Sequence, residues 1–298
     1  MLSILIPVYN WDCSRLISDL HSQGIAKGMQ FELIVADDHS TKTEITDKIR
    51  ETVSRLEKCR LIALEKNIGR SAIRNLLAEN AEGQKLLFMD CDAEVCSTEY
   101  LSDYMKAASS ADVVCGGVKH PEMLPRNGVE LRWKYEKKAD KIRSAECRGR
   151  NPYSRFTPFN FLISRDVFQS IRFSTEFTGY GYEDVLFGLE LEKRGVSIIH
   201  IDNPLLHLGL EDNAVFLSKT ENALRNLSAR KEELEQGSTL LHHYSNICRL
   251  HLEPLLRTIA TLSINGIRQN LLGNTPSLIL FSLYKLFYFS LNTKPYQL

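Results

Sequence analysis

Short runs of consecutive apolar residues alternate along the first 120 positions with longer stretches in which apolar side chains recur every three or four residues. Leu2–Val8, Phe31–Ala36, Leu61–Leu64, Lys85–Met89 and Val113–Cys115 have the length of buried strands, and polar or glycine residues bound most of them. Asp12–Gln23, Lys42–Leu56, Arg70–Asn80 and Thr98–Ala108 lie between them with helical spacing; Ser97 can cap one of these helices and Ser71 begins another. Strand–helix alternation predicts βαβ units and an α/β fold built on a mostly parallel sheet flanked by helices. Ligands of such sheets sit beyond the carboxyl ends of the strands, so the polar residues that follow each strand are the candidates for chemistry.

The pattern changes twice further on. From about Lys119 to Pro158 it is irregular, with a basic amphipathic stretch at Arg132–Arg143 and an Arg/Gly/Pro-containing loop from Glu146 to Arg155. Phe159–Ile163 and Ser197–Ile201 read as two more strands, with a helix at Asp184–Arg194 between them. From Asp212 the chain turns helical: a charged helix over Asp212–Gln236, then an apolar helical region from Leu240 to Leu291 broken at Pro254, Gly266 and Gly273–Pro276. The domain reading is therefore 1–211 for the α/β part and 212–298 for an α-helical C-terminal extension.

Composition narrows the function class. The 298 residues carry 37 Lys+Arg against 37 Asp+Glu, and this neutral balance argues against a nucleic-acid binder, which needs excess cations to neutralise phosphates. Hydrophobic residues at 43% and charged residues at 25% are those of a globular chain and not a disordered one. The seven cysteines form no CxxC pair, which argues against a zinc ribbon or thioredoxin-like site and suits reduced thiols in the cytoplasm. The N-terminal apolar run stops at Pro7 without a basic flank, too short for a signal peptide, and no uninterrupted run of 18 apolar residues predicts a membrane span. Leu278–Leu291 comes nearest. It either packs onto the preceding helices or lies in a membrane interface as a peripheral contact, and the scarcity of Lys/Arg beyond Arg268 favours packing.

Three acidic clusters stand at element ends. Asp37-Asp38-His39-Ser40 follows the apolar run Leu33–Ala36, where a carboxylate can accept from a base N–H or a ribose hydroxyl, or else serve a local turn or helix cap. Asp90-Cys-Asp92 follows Leu86–Met89; in extended chain both carboxylates share a face, and oxygen ligands so placed suit Mg²⁺ or Mn²⁺. Glu183-Asp184 opens a helix after the Gly179-x-Gly181 loop, either as acids favoured by the helix dipole or as a general base. His207, in Leu205-Leu-His-Leu-Gly209, is a structural imidazole or a third metal ligand. Gly179-x-Gly181 lacks the third glycine of a dinucleotide fingerprint, and no GxxxxGK[ST] is present, so a Rossmann dehydrogenase and a P-loop enzyme are excluded.

Six motifs in order resemble the family 2 nucleotide-sugar glycosyltransferases of GT-A fold: Ser3-Ile-Leu-Ile-Pro-Val-Tyr-Asn10, Val35-Ala-Asp-Asp-His-Ser40, Asn67-Ile-Gly-Arg-Ser-Ala-Ile-Arg-Asn75, Phe88-Met-Asp-Cys-Asp92, Pro158-Phe-Asn-Phe-Leu-Ile-Ser-Arg165 and Gly179-Tyr-Gly-Tyr-Glu-Asp-Val-Leu-Phe-Gly188. One departure is Ile73 where the family usually has Ala. The resemblance implies that Pro7, Tyr9 and Asp38 line the base pocket and that Asn67, Gly69 and Arg74 shape the base and ribose side. It implies that Asp90 and Asp92 are the D-x-D pair, with Asp92 the direct ligand of Mn²⁺ or Mg²⁺ and His207 a further one. It implies that Asp184 is the base and that neighbouring Glu183 binds the acceptor. Arg148, Arg150 and Arg155 lie in a loop able to fold over the diphosphate, or they form a solvated basic loop.

These readings lead to an inverting, metal-dependent transferase that moves a hexosyl group from a UDP-sugar to a hydroxyl of a glycan or lipid-linked acceptor in polysaccharide biosynthesis. A sugar nucleotidyltransferase is a rival, but it would open on a Gly-rich basic loop that Pro7-Val-Tyr-Asn10 lacks. A catalytically silent binding module is another, opposed by the intact acids at 38, 90, 92 and 184. The sugar, the acceptor linkage and the oligomeric state are not encoded in these motifs.

Overall fold

The computed structural model describes residues 1–140, 142–177 and 179–294. Lys141, Thr178 and the last four residues of the expected extension lie outside the described residues. In chain order the elements are β1 (Leu2–Val8), α1 (Ser14–Ala26), β2 (Phe31–Asp37), α2 (Thr43–Ser54), β3 (Cys59–Ala63), α3 (Arg70–Asn80), β4 (Lys85–Met89), β5 (Ala93–Val95), α4 (Tyr100–Ala107), β6 (Val113–Cys115) and β7 (Val118–Lys119). There follow α5 (Glu130–Asp140), α6 (Ala145–Gly149), β8 (Asn160–Ser164), α7 (Arg165–Ile171), α8 (Glu183–Lys193), β9 (Ile198–His200) and β10 (Leu205–His207). The helices α9 (Asn213–Ala229), α10 (Lys231–Leu234), α11 (Thr239–Arg249), α12 (Glu253–Leu272) and α13 (Leu278–Asn292) complete the chain.

The chain divides into two compact units. The first comprises Met1–Pro121, Asp140–Thr175 and Glu190–Gly209 and holds every strand. The second comprises Glu122–Ala139, Glu176–Leu189 and the chain from Leu210 on. A single cut at 211/212 thus leaves two segments, 122–139 and 176–189, with the sheet although they pack with the helices.

In the first unit a seven-stranded sheet has the order β3-β2-β1-β4-β8-β6-β9. All neighbours are parallel except β8, which runs antiparallel to β4 and β6. Alternation sorts the strand side chains: Ile4, Ile6, Leu33, Val35, Leu87 and Met89 share one core with Leu16, Ile17 and Leu20 of α1, Ile49 and Val53 of α2, and Leu101 of α4. On β4 the intervening Phe88 stacks on Phe161 and on Phe168 of α7, with ring centroids 5.0 Å apart in each case. Buried Asn160 ties the middle of this unit together, its amide oxygen accepting from Tyr100 and Tyr104 while its nitrogen donates to the Gly117 and Asn203 carbonyls. A second sheet, β5-β10-β7, pairs Ala93 with His207 in antiparallel register.

The second unit is helical. Phe216 and Leu217 of α9, Ala260, Ile267 and Leu271 of α12, and Phe281, Tyr284 and Phe287 of α13 form one apolar cluster, so the Leu278–Leu291 run packs as its composition favours. α12 continues through Gly266, where a break was expected; the burial of Ala260, Ile267 and Leu271 on either side outweighs a glycine cost of about 1 kcal/mol. No helix among the described residues is long and apolar enough to cross a membrane. All seven cysteines are unbridged.

Candidate functional site

The order β2-β1-β4 sets the carboxyl ends of three parallel strands side by side, and the residues that follow them are Asp38, Tyr9 and Asp90–Asp92. Pro7 is half-buried and Tyr9 is exposed at the end of β1. Asn10, in the left-handed region at φ 54, then cross-braces the loops: its amide oxygen accepts from the Thr41 and Lys42 N–H groups, and its own N–H donates to Ser40 Oγ.

The two aspartates after β2 have different jobs. Asp37 takes the local role, accepting from the Ser40 N–H at 3.0 Å and from its hydroxyl. Asp38 is buried and reaches across to the next loop, accepting from the Ile68 N–H at 2.6 Å and the Gly69 N–H at 3.0 Å. Asn67 closes the same contact from the other side by donating to the Asp38 carbonyl. Asp38, Asn67 and Gly69 are therefore one hydrogen-bonded group at the start of α3.

The D-x-D carboxylates also part company. Asp90 faces α3, where the buried Arg74 guanidinium pairs with one oxygen and Arg70 approaches the other at 3.4 Å. Arg74 Nε has no hydrogen-bond partner among the described residues. Asp92 faces the second sheet, where the β5–β10 pairing brings His207 Nε2 to 3.2 Å from its Oδ2. Burial by itself would raise the Asp92 carboxyl, but the hydrogen bond and charge of His207, with Arg70 beyond, hold it below the usual carboxylate range. Gly209 makes this placement possible: a Cβ there would lie 1.9 Å from Asp92 Oδ2. The His207 ring is held edge-on by Phe159 and by His120, with centroids 5.3 and 5.8 Å away, and His120 Nδ1 is in turn 2.7 Å from Asp140. A carboxylate oxygen and an imidazole nitrogen 3.2 Å apart are the donor types that a divalent metal takes. His120, Asp140, Gly209 and Arg70 were not singled out from the sequence. The signal that could have found them is the close pairing of two three-residue strands, too short to show a period.

In the second unit, Glu183 and Asp184 open α8. Phe187, Gly188 and Leu191 are buried, Asp184 is half-buried, and Glu183 is the more deeply buried acid. Its carboxylate accepts from the Gly181 N–H at 3.0 Å, folding back onto the preceding loop, while Asp184 accepts from the Val185 N–H at 2.8 Å. That loop lies against α9. A Cβ on Gly179 (φ +73) would meet Asn222 Oδ1 at 2.5 Å, and one on Gly181 (φ +101) would meet the Ala223 Cβ at 2.4 Å. Asn222 accepts the Tyr180 N–H at 2.6 Å, and Asn226, one turn on, donates to the Tyr180 and Gly181 carbonyls. This pair of asparagines on one helix face was missed in the sequence, where it reads as part of a charged helix.

The arginine loop does not act as a diphosphate cover at Arg148. Its guanidinium is buried and donates to the carbonyls of Cys115, Gly116, Arg143 and Ile201 and to His200 Nδ1 at 2.6 Å. A guanidinium with its donors so engaged pins the loop to β6 and β9. Arg150 pairs with Glu146 at the surface, and Arg155 is exposed. His200 donates through Nε2 to the Pro152 carbonyl, which fixes its tautomer, and burial with the Arg148 charge beside it pushes its pKa down to about 4. Between that value and the ordinary 6.5 the unfolded chain binds the extra proton. Stability from His200 is therefore complete above pH 6.5 and is lost as pH falls toward 4, by about 2–3 kcal/mol. Urea unfolding at pH 7 and pH 4.5 should show a drop that His200→Gln reduces by that amount; an identical pH dependence in the variant would refute the assignment.

Residues 3–172 match the family model described as Glycosyl transferase family 2. Among curated proteins, mouse polypeptide N-acetylgalactosaminyltransferase 4 is 31% identical over 117 residues, which are 38% of this chain and 20% of that protein. An uncharacterized glycosyltransferase of Haemophilus influenzae is 32% identical over 97 residues, 31% of this chain and 36% of the relative. The chain thus spans about a fifth to a third of the length of these curated relatives. Among solved structures, the mannosyltransferase PcManGT of Pyrobaculum calidifontis in complex with GDP-Man and Mn²⁺ aligns with a TM-score of 0.61 at 13% identity, over 98% of this chain and 85% of that one. Staphylococcus aureus TarS 1–349 in complex with UDP-GlcNAc aligns with a TM-score of 0.51 at 16% identity, over 98% and 90%. These likenesses are of fold, a GT-A-like sheet with a helical C-terminal region.

Proposed function

The chain belongs to glycosyl transferase family 2, and from that premise we propose that it moves a sugar, with inversion, from a UDP-sugar to a hydroxyl of a glycan or lipid-linked acceptor. The observation that carries this reading is the row of adjacent strand ends with Asp38 at one, Tyr9 at the next, and Asp90 and Asp92 at the third. Tyr9 and Pro7 offer an apolar platform for a base, and the spare lone pairs of Asp38 can accept from a base N–H. Asp90, braced by Arg74 and Arg70, supplies an acceptor for a ribose hydroxyl, and the unsatisfied Arg74 Nε offers a donor on the same side. Asp92 and His207 would hold the metal; an oxygen and a nitrogen donor together favour Mn²⁺ over Mg²⁺. When bound, the ion supplies positive charge for the departing diphosphate. Asp184, in the first turn of α8, is the base that takes the acceptor hydroxyl proton. Glu183 orients the loop and contributes to the acceptor side.

The PcManGT neighbour holds a guanine nucleotide and TarS a uracil one, and both bases present an N–H that Asp38 could receive. The deciding experiment is nucleoside-diphosphate release from a panel of UDP- and GDP-sugars with Mn²⁺ and simple glycan acceptors. Acceptor-dependent release from a UDP-sugar is expected. Turnover of GDP-sugars alone would overturn the uridine assignment, and binding without release from any donor would overturn transfer.

A further inference from the structure

Exposed apolar residues are concentrated in one part of the second unit. Of the large hydrophobic side chains that are exposed among the described residues, eight of seventeen fall between Leu250 and Leu283. On α12 they form a stripe: Leu255, Ile259 and Leu262 stand at i, i+4 and i+7 and are 57%, 47% and 83% exposed, with Leu252 one turn before them. The stripe runs about 15 Å along the helix. The opposite face of α12, through Ala260, Ile267 and Leu271, is the one buried against α9 and α13. Thr258, Thr261 and Asn265 flank the stripe and are exposed and uncharged.

Charge separates in the same way. From Ser238 to the C-terminus there are five Lys/Arg and a single acid, Glu253, a net charge of +4; since the chain as a whole is neutral, the first 237 residues carry −4. Glu253 is itself paired with Arg257 at 3.1 Å, and Arg249 and His251 are exposed beside Leu250 and Leu252. We propose that the α12 stripe seats on an anionic lipid surface, with Leu252, Leu255, Ile259 and Leu262 entering the headgroup–acyl boundary and the cationic C-terminal segment held by the lipid charge. A second copy of this chain fits less well, because Glu253, the one acid beside the stripe, is already paired with Arg257 and leaves nothing to meet the exposed Arg249 of the other copy. A protein partner also fits less well, because the stripe offers Leu, Ile and Thr and no exposed Trp or Tyr, the aromatic anchors that dominate protein interfaces. The proposal goes beyond the transfer reaction and does not depend on it.

The test is co-sedimentation of the full chain, without any sugar donor, with vesicles of phosphatidylcholine alone and of phosphatidylcholine mixed with phosphatidylglycerol. The chain is expected to bind the mixed vesicles, to bind the neutral ones at least tenfold more weakly, and to be released by high salt. The triple variant Leu255→Asn, Ile259→Asn, Leu262→Asn should lose at least tenfold in partition while keeping the native circular dichroism spectrum. The single Leu262→Asn, at the most exposed position, should lose a smaller share in the same direction. A wild-type chain that stays in the supernatant overturns the proposal, as does equal binding of the wild type and the triple variant. It is also overturned by a lipid-free dimer in sedimentation velocity that the same substitutions abolish, which would assign the stripe to a second copy.

Discussion

Asp184→Asn is expected to lower kcat by about 10²–10⁴-fold, the usual worth of a positioned general base, while UDP affinity stays within about twofold. The substitution keeps the shape and the Val185 N–H contact of the side chain and removes only its ability to take a proton. Glu183→Gln should behave differently. Glu183 is buried and its carboxylate already holds the Gly181 N–H, an acceptor role that a glutamine oxygen retains, so the expected change is a raised acceptor KM with kcat largely preserved. Steady-state kinetics on both variants, with UDP binding measured by calorimetry, separates the roles. A dead Glu183→Gln beside a near-normal Asp184→Asn would reverse the assignment.

Metal removal should have an effect of similar size. EDTA is expected to abolish turnover, with Mn²⁺ restoring it more fully than Mg²⁺, and Asp92→Ala should lose most activity without unfolding. A milder variant tests the geometry: Gly209→Ala puts a methyl 1.9 Å from Asp92 Oδ2, so the carboxylate must leave its present place beside His207. Mn²⁺ affinity, read by electron paramagnetic resonance, should then fall by about 10–100-fold, as for other disturbed ligand surroundings. Full activity in EDTA, or unaltered Mn²⁺ binding in both variants, would remove the metal from the scheme.

What could be read from the sequence was what has a period or a sharp boundary. Lys85–Met89 and Val113–Cys115 form strands over the expected residues, because Leu86–Met89 and Val113–Cys115 are continuous apolar runs bounded by polar or glycine residues. β3 lies two residues earlier at its start than expected, since Cys59 and Arg60 pair with Leu33 and Ile34 in spite of their polarity. What could not be read depends on tertiary pairing. His207 meets Asp92 only because β5 and β10 align, and each is three residues long. Arg148 sits in a loop whose composition fits a mobile phosphate cover equally well; only the ring of carbonyls around it decides for a fixed anchor. Asp37 and Asp38 are adjacent and identical in type, yet one closes a local turn and the other bonds the loop before α3, a difference no propensity encodes.

The asparagines of α9 have a consequence for how this chain can be cut and recombined. The family match ends at residue 172, before the Gly179–Asp184 loop begins, and α9 lies further on still. A shortened protein ending near residue 211 would keep both acids of α8 but lose Asn222, Ala223 and Asn226, the surface against which the loop backbone is moulded. For anyone recombining segments of one relative with another, the loop and the helix are a lock and its strike plate. They have to be transplanted as a matched pair, with the glycines and the asparagines taken from the same parent.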